Sequence, residues 1–357
     1  MKNKKALKIV IVLSSIFGFL LVSGGLTSYF LFLHRYHGKV IVDEFNKDNE
    51  FDLSKIKVVK KEKDKDFKIL NFADVQMCDL EDIKYMPKIK EELTEIVNVT
   101  KPDLITLTGD QTWSNENLIS LKSLISWMEG FKIPRAPVFG NHDFGNGNNN
   151  AVLDNLKCCE LYEKAKYCLF SRGPSNLECV GNYVINIEEE GKIIKTLYMM
   201  DYGVLDDFTS KQVEWFNRNA EGIRKLNNDQ YTDGMIFCHK PIHKFFDAWF
   251  NGEEVEIKRK TLQNADILEE NQDILYKDAK EKGIIDFVCG HEHWFHFCYK
   301  NSDNIRFTMS LKTGELGGYL ETEDTYLNGA SYFTINDEET FVSDYYVSKS
   351  KHGLGKE

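Results

Sequence analysis

Five apolar runs in this chain stop on residues of the kind that bind metals, and no other feature narrows its fold as far. The sharpest is Asp286-Phe287-Val288-Cys289-Gly290-His291-Glu292-His293. Ile284, Ile285, Phe287 and Val288 read as a buried strand that empties through Gly290 into two histidines one residue apart. Two imidazoles leaving one strand end together are a candidate metal pair. Residues 67–72 end the same way, delivering Asp74 and Gln76; residues 103–108 stop at Gly109-Asp110. Residues 136–139 lead into Gly140-Asn141-His142-Asp143, and residues 233–238 end at His239.

Helical patterns separate the first three strands. Ile89, Leu93, Ile96 and Val97 share one helix face, and Leu121, Leu124, Ile125 and Met128 share another. Strand, helix, strand, helix, strand in that order predicts an α/β domain whose helices cover a largely parallel sheet. Residues 183–187 and 193–200 pair as strands and start a second sheet, and Thr209-Ser210-Lys211-Gln212 fits a capping box opening the next helix. Ligands gather outside the carboxyl ends of strands in open α/β sheets, so these distant segments can converge on one crevice. Their oxygen and imidazole donors exceed what one ion needs, and two divalent ions sharing a bridging carboxylate account for the surplus.

At 357 residues with 42% hydrophobic content, the chain can bury one large core. Its formal charge is -11, and without Lys2, Lys4, Lys5 and Lys8 the rest carries -15. That acidity argues against nucleic acid as a partner but not against a small phosphorylated substrate held by cations. Residues 9–33 contain no charge, and 25 residues at about 1.5 Å rise exceed a ~30 Å hydrocarbon core. The four preceding lysines put the N-terminus in the cytoplasm and the remainder outside. The reading is thus a cytoplasmic tail at 1–8, a transmembrane signal anchor at 9–33, a juxtamembrane spacer at 34–66, a catalytic body at 67–348 and a tail at 349–357. A cleaved signal peptide ending near Ser23, Gly24 and Gly25, giving a secreted protein, is the alternative. In that setting Cys158, Cys159, Cys168 and Cys179 are the expected disulfide formers, while Cys238 and Cys289 lie in apolar runs as buried thiols.

Read in order, Asp74-Val75-Gln76, Gly109-Asp110, Gly140-Asn141-His142-Asp143, His239 and Gly290-His291-Glu292-His293 resemble the five motifs of the calcineurin-like metallophosphoesterase superfamily. Residues 168–187, residues 197–216 and Thr313-Gly314-Glu315-Leu316-Gly317-Gly318-Tyr319 resemble its purple-acid-phosphatase-like branch. The resemblance implies a metallophosphatase-type four-layer sandwich of two mixed β-sheets flanked by helices, here preceded by one transmembrane helix. It also implies two divalent ions, Mn, Fe, Zn or Mg. Asp74, Asp110 and His293 would take the first and Asp110, Asn141, His239 and His291 the second. A hydroxide between them would attack a phosphomonoester in line, the substrate being a phosphorylated small molecule or a phosphoprotein. His142 would contact the phosphoryl group or protonate the leaving oxygen, with Asp143 orienting its ring.

Two positions depart from the pattern. Gln76 stands where the family usually has histidine, and it either ligates a harder ion, such as Mn²⁺ or Mg²⁺, or only bonds to water on the metal. Trp113 stands where purple acid phosphatases place a tyrosine ligand, so no tyrosinate-to-iron colour is expected. The same ligand set serves diesterases and pyrophosphatases, and a non-catalytic surface binding protein could keep the fold. His243 reads as a pocket-wall or surface residue, His296, between Phe295 and Phe297, as a partly exposed strand position, and His37 as interfacial.

Overall fold

The computed structural model describes residues 14–15, 18, 22–24, 36–77, 86–145, 151–201, 205, 207–251, 273–293, 296–314, 328–336 and 339–346. Most of the expected membrane anchor, residues 9–33, and all of 349–357 lie outside them. Among the described residues no helix is long and apolar enough to cross a membrane.

In chain order the elements are β1 (Lys57–Lys60), β2 (Phe67–Phe72), α1 (Met86–Thr100), β3 (Leu104–Thr108), α2 (Asn117–Glu129), β4 (Arg135–Val138) and α3 (Asn155–Glu163). Then come β5 (Tyr183–Glu189), β6 (Lys192–Met199), α4 (Ser210–Leu226), β7 (Gly234–Phe237), α5 (Lys244–Asn251) and α6 (Tyr276–Glu281). β8 (Ile284–Cys289), β9 (Phe297–Lys300), β10 (Arg306–Met309), β11 (Gly329–Ile335) and β12 (Thr340–Tyr346) complete the series.

The strands make two mixed sheets, a seven-stranded one in the order β1-β5-β6-β7-β8-β10-β9 and a five-stranded one in the order β12-β11-β2-β3-β4. β2, β3 and β4 run parallel in the smaller sheet, as do β6, β7, β8 and β10 in the larger. Alternation along the strands sorts the core into layers. Phe67 and Ile69 of β2 pack between the sheets with Met235 and Phe237 of β7, while Leu70 and Phe72 turn outward onto α1. Ile236, Phe287 and Cys289 face the other way, onto Phe216 and Ile223 of α4. Phe237 meets Phe333 edge-on across the inter-sheet space at 6.2 Å. A ring buried there stabilises by roughly 2–3 kcal/mol. The capping box at Thr209 forms as read, with Gln212 returning the bond.

The expected spacer is instead part of the body. β1 extends the larger sheet parallel to β5, Phe51 lies against Gly222 of α4, and Arg218 donates to the carbonyls of Asn46 and Lys47. His37 bonds Asp154 at 2.8 Å, and Asp154 is also the N-cap of α3. The cysteines expected to bridge are free thiols, as are all seven described cysteines. Cys158 and Cys159 are consecutive on α3, buried in the inter-sheet core, where burial pushes both thiols up. His296 is buried rather than exposed, held between the Met309 carbonyl and Asp344 at 2.9 and 3.0 Å.

Candidate metal centre

At the carboxyl ends of the parallel strands the backbone turns sharply. Asp74, Gln76, Asp110 and His291 have φ of +50°, +47°, +47° and +73°. Such angles are unfavourable for non-glycine residues by about 1–2 kcal/mol each. Hydrogen bonds beyond the strand ends hold them: Asp74 N–H donates to Gly109 O at 3.2 Å and Gln76 N–H to Asp110 O at 2.9 Å. The β2–β3 ladder therefore continues into the turns, and both carboxylates leave on the same side.

The motif glycines sit where ligand side chains crowd the backbone. A Cβ on Gly140 would lie 2.2 Å from Asp110 Oδ1, one on Gly109 2.3 Å from the His239 ring, and one on Gly290 2.6 Å from Asp74 Oδ2. Only a bare α-carbon fits at these contacts.

Two groups of ligand atoms result, and they share a residue. Asp110, His239 and His291 form one, Asp74, Asp110 and His293 the other, and within each the ligand atoms lie within 4.8 Å of one another. His239 Nε2 is 3.0 Å from Asn141 Oδ1, 3.1 Å from His291 Nδ1 and 3.4 Å from Asp110 Oδ1. One ring nitrogen carries a single proton or a single lone pair, so it cannot satisfy all three neighbours. Its other nitrogen, Nδ1, donates to Thr108 O at 2.9 Å, which leaves the Nε2 lone pair for a cation. In the protein without metal a proton takes that place, and the charges are those of the protonated ring. Burial works against ionisation of Asp110, but His239 and His142 reverse this and hold it well below the usual carboxylate range. His239 is likewise pushed up to about 10 by Asp110 against its burial, while burial and the His239 charge bring His291 down to about 3. The donor set suits divalent cations.

His142 stands apart from these groups. Its side chain is 32% exposed and its ring lies 5.7 Å from that of the exposed Trp113, so the pair lines the open side of the centre. Asp143 does not reach the His142 ring as expected. Its two oxygens accept from the backbone N–H groups of Thr112 and Gly140 at 2.9 and 2.8 Å, tying the loop after β3 to the loop after β4. Gln76 is buried beside His293, 3.3 Å from amide nitrogen to ring Nε2. His243 faces Asp247 and belongs to neither group.

Sequence reasoning missed Lys312. This buried lysine donates to the Asp74 carbonyl at 2.8 Å and pins the turned residue from behind; burial brings its ammonium down to about 8. The available signal was a lysine directly before Thr313, whose hydroxyl accepts from Ala73 N–H.

Carboxylates and imidazoles converging at the strand ends of two packed mixed sheets could hold metal ions, an arrangement that suits the class of metal-dependent hydrolases. Comparison supplies the family. The calcineurin-like phosphoesterase family matches residues 67–307, and the chain belongs to it, a family of enzymes that hydrolyse phosphoric esters. Phosphatase DCR2 of Saccharomyces cerevisiae is 25% identical over 282 residues, which cover 66% of this chain and 45% of that protein. The chain thus spans less than half the length of this curated relative. Among solved structures, one chain aligns over 79% of this sequence and all of its own at 11% identity and a TM-score of 0.44. TT1561 of Thermus thermophilus aligns over 78% of this chain and 98% of its own at 9% identity and a TM-score of 0.39. At such scores neither bears on the fold, which rests on the topology above.

Proposed function

We propose that the chain is a phosphomonoesterase working with two divalent ions bridged by Asp110. The observation that carries the reading is the position of Asp110, one carboxylate common to both ligand groups. Asp74 and His293 complete one position, and Asn141, His239 and His291 complete the other. Bound ions would supply hydroxide near neutral pH and positive charge for the phosphoryl oxygens. The chain itself does the rest. Thr108 O fixes the His239 ring, Asp143 braces the two loops that carry Asp110 and His142, and His142 faces the open side, where it can donate to the phosphoryl or leaving oxygen. Preference for monoesters rests on the relative named a phosphatase.

In the same reading residues 9–33 anchor the protein in a membrane with the body outside, supported by the uncharged run behind four lysines. Residue 36 is already bridged to Leu153, so such an anchor would adjoin the body directly.

Hydrolysis of an aryl phosphate in added Mn²⁺, compared with that of a bis-aryl phosphate, tests the activity. Asp110→Asn should lower monoester turnover by at least ~100-fold. Full activity in that variant, or faster diester turnover in the native protein, would refute the respective part.

A further inference from the structure

Trp113 is an exposed ring on a firmly held backbone. The residue is 41% exposed, although its chain neighbours Thr112 and Ser114 are buried. Its N–H donates to Met77 O at 3.2 Å, and Thr112 bridges to Met77 and donates its own N–H to Asp143 Oδ1 at 2.9 Å. The other oxygen of that carboxylate accepts from Gly140 N–H at 2.8 Å, two residues before His142. Asp143 therefore braces both loops and sets the separation of the Trp113 and His142 rings, 5.7 Å between centroids. Their planes are tilted by 44°, so His142 does not stack on the indole. A large apolar ring kept partly in water forgoes the burial that usually stabilises it, and a ligand ring can supply that burial.

The separation favours one shape of substrate. A ring bonded directly to a leaving oxygen that His142 reaches lies beside His142, and 5.7 Å is inside the range of about 4.5–7 Å over which aromatic rings pair. A nucleoside base stands several bonds farther out, beyond its sugar, and an alkyl group presents no aromatic face. We infer that Trp113 determines specificity, its indole receiving the ring of an aryl phosphomonoester. The inference deepens the phosphomonoesterase reading and rests on it. Small aryl phosphates and phosphotyrosyl side chains share this chemistry. The ring contact is the same before and during reaction, so it acts on KM rather than on kcat.

Hydrolysis of phenyl phosphate and of ethyl phosphate by the full chain in Mn²⁺ tests this. Aryl oxides leave more readily than alkoxides, so the readout is the change in the aryl/alkyl ratio of kcat/KM on substitution, not the native ratio. Trp113→Ala should lower that ratio about threefold to tenfold, through KM for phenyl phosphate, and Trp113→Phe should stay within about twofold of native. Calorimetric binding of benzylphosphonate and ethylphosphonate, which carry the same phosphoryl group and no ester bond, should show the same fall without turnover. Circular dichroism checks folding, and Trp113→Leu, which keeps apolar bulk without a ring, decides if the alanine variant does not fold. Comparing kcat/KM for a phosphotyrosyl peptide with that for phenyl phosphate separates the two sources, the larger value marking the one the site serves. An unchanged ratio in the alanine and leucine variants, whatever the absolute loss, would overturn the assignment. A native chain that hydrolyses neither ester would instead remove the reading on which it stands.

Discussion

His142 Nε2 stands 4.0 Å from Asp110 Oδ2, and the His142 backbone N–H donates to the other oxygen of the same carboxylate at 2.9 Å. The carboxylate shared by both ligand groups thus also positions the one motif histidine that belongs to neither. His239 and His293 have side chains only 3% and 7% exposed against 32% for His142, so His142 is the ring a substrate would meet. Replacing it by alanine should lower kcat by roughly 10²–10⁴ while metal binding stays native. Turnover measured together with bound metal checks this, and a parallel loss of metal would make His142 a ligand.

The crowding at Gly140 is specific to the centre. A methyl group there would press on Asp110 Oδ1 at 2.2 Å and on the Asp110 backbone nitrogen at 2.4 Å. Gly140→Ala must displace the shared carboxylate, and displacement by ~1 Å is expected to cost about 100-fold in rate. Gly130→Ala is the control, at the helical end of α2 with φ of -62° and its nearest contact at 3.1 Å. Comparable activity in the two variants would show that Asp110 is not held as described.

A pH-dependent contribution to stability sits far from the centre, at Glu221 on α4. Burial alone would raise its pKa, but bonds from Lys282 at 2.8 Å, from the Tyr231 hydroxyl and from Arg224 at 2.9 Å reverse this and bring it down to about 2. The folded pKa lies below the unfolded one, so the contribution is complete above pH 4.5 and disappears as pH falls through about 2. The side chain is 37% exposed, and solvent screening limits the effect to about 1 kcal/mol. Urea unfolding of native and Glu221→Gln proteins should differ by that amount at pH 7 and converge near pH 2. A difference that is the same at both pH values would contradict the assignment.

What could be read from the sequence follows from how each element is stabilised. Buried parallel strands appear as apolar runs, so β2, β3, β4, β7 and β8 could be placed with their terminal Asp and His residues. The division into sheets was less accessible. β1 pairs with β5 across more than a hundred residues, and β11 lies antiparallel to β2; neither neighbour is marked by local periodicity. Residues 36–56 looked like a solvated spacer because their polar composition hides what holds them. Side chains elsewhere bond their backbone, Asn176 with Phe45 and Arg218 with Asn46 and Lys47. His296 looked exposed between two phenylalanines, but Asp344 on β12 covers it. The role expected for Asp143 failed because three residues of tight turn aim its carboxylate back at Gly140 N–H rather than at the neighbouring ring.

The number of Mn²⁺ ions bound per chain, read by equilibrium dialysis with elemental analysis, tests the shared position of Asp110 most directly. The native chain should bind two ions. Asp74→Asn should impair one position only, and Asp110→Asn should weaken both together, by about tenfold or more at each. A native chain that holds a single ion, or an Asp110→Asn chain that keeps two at native affinity, would contradict the account.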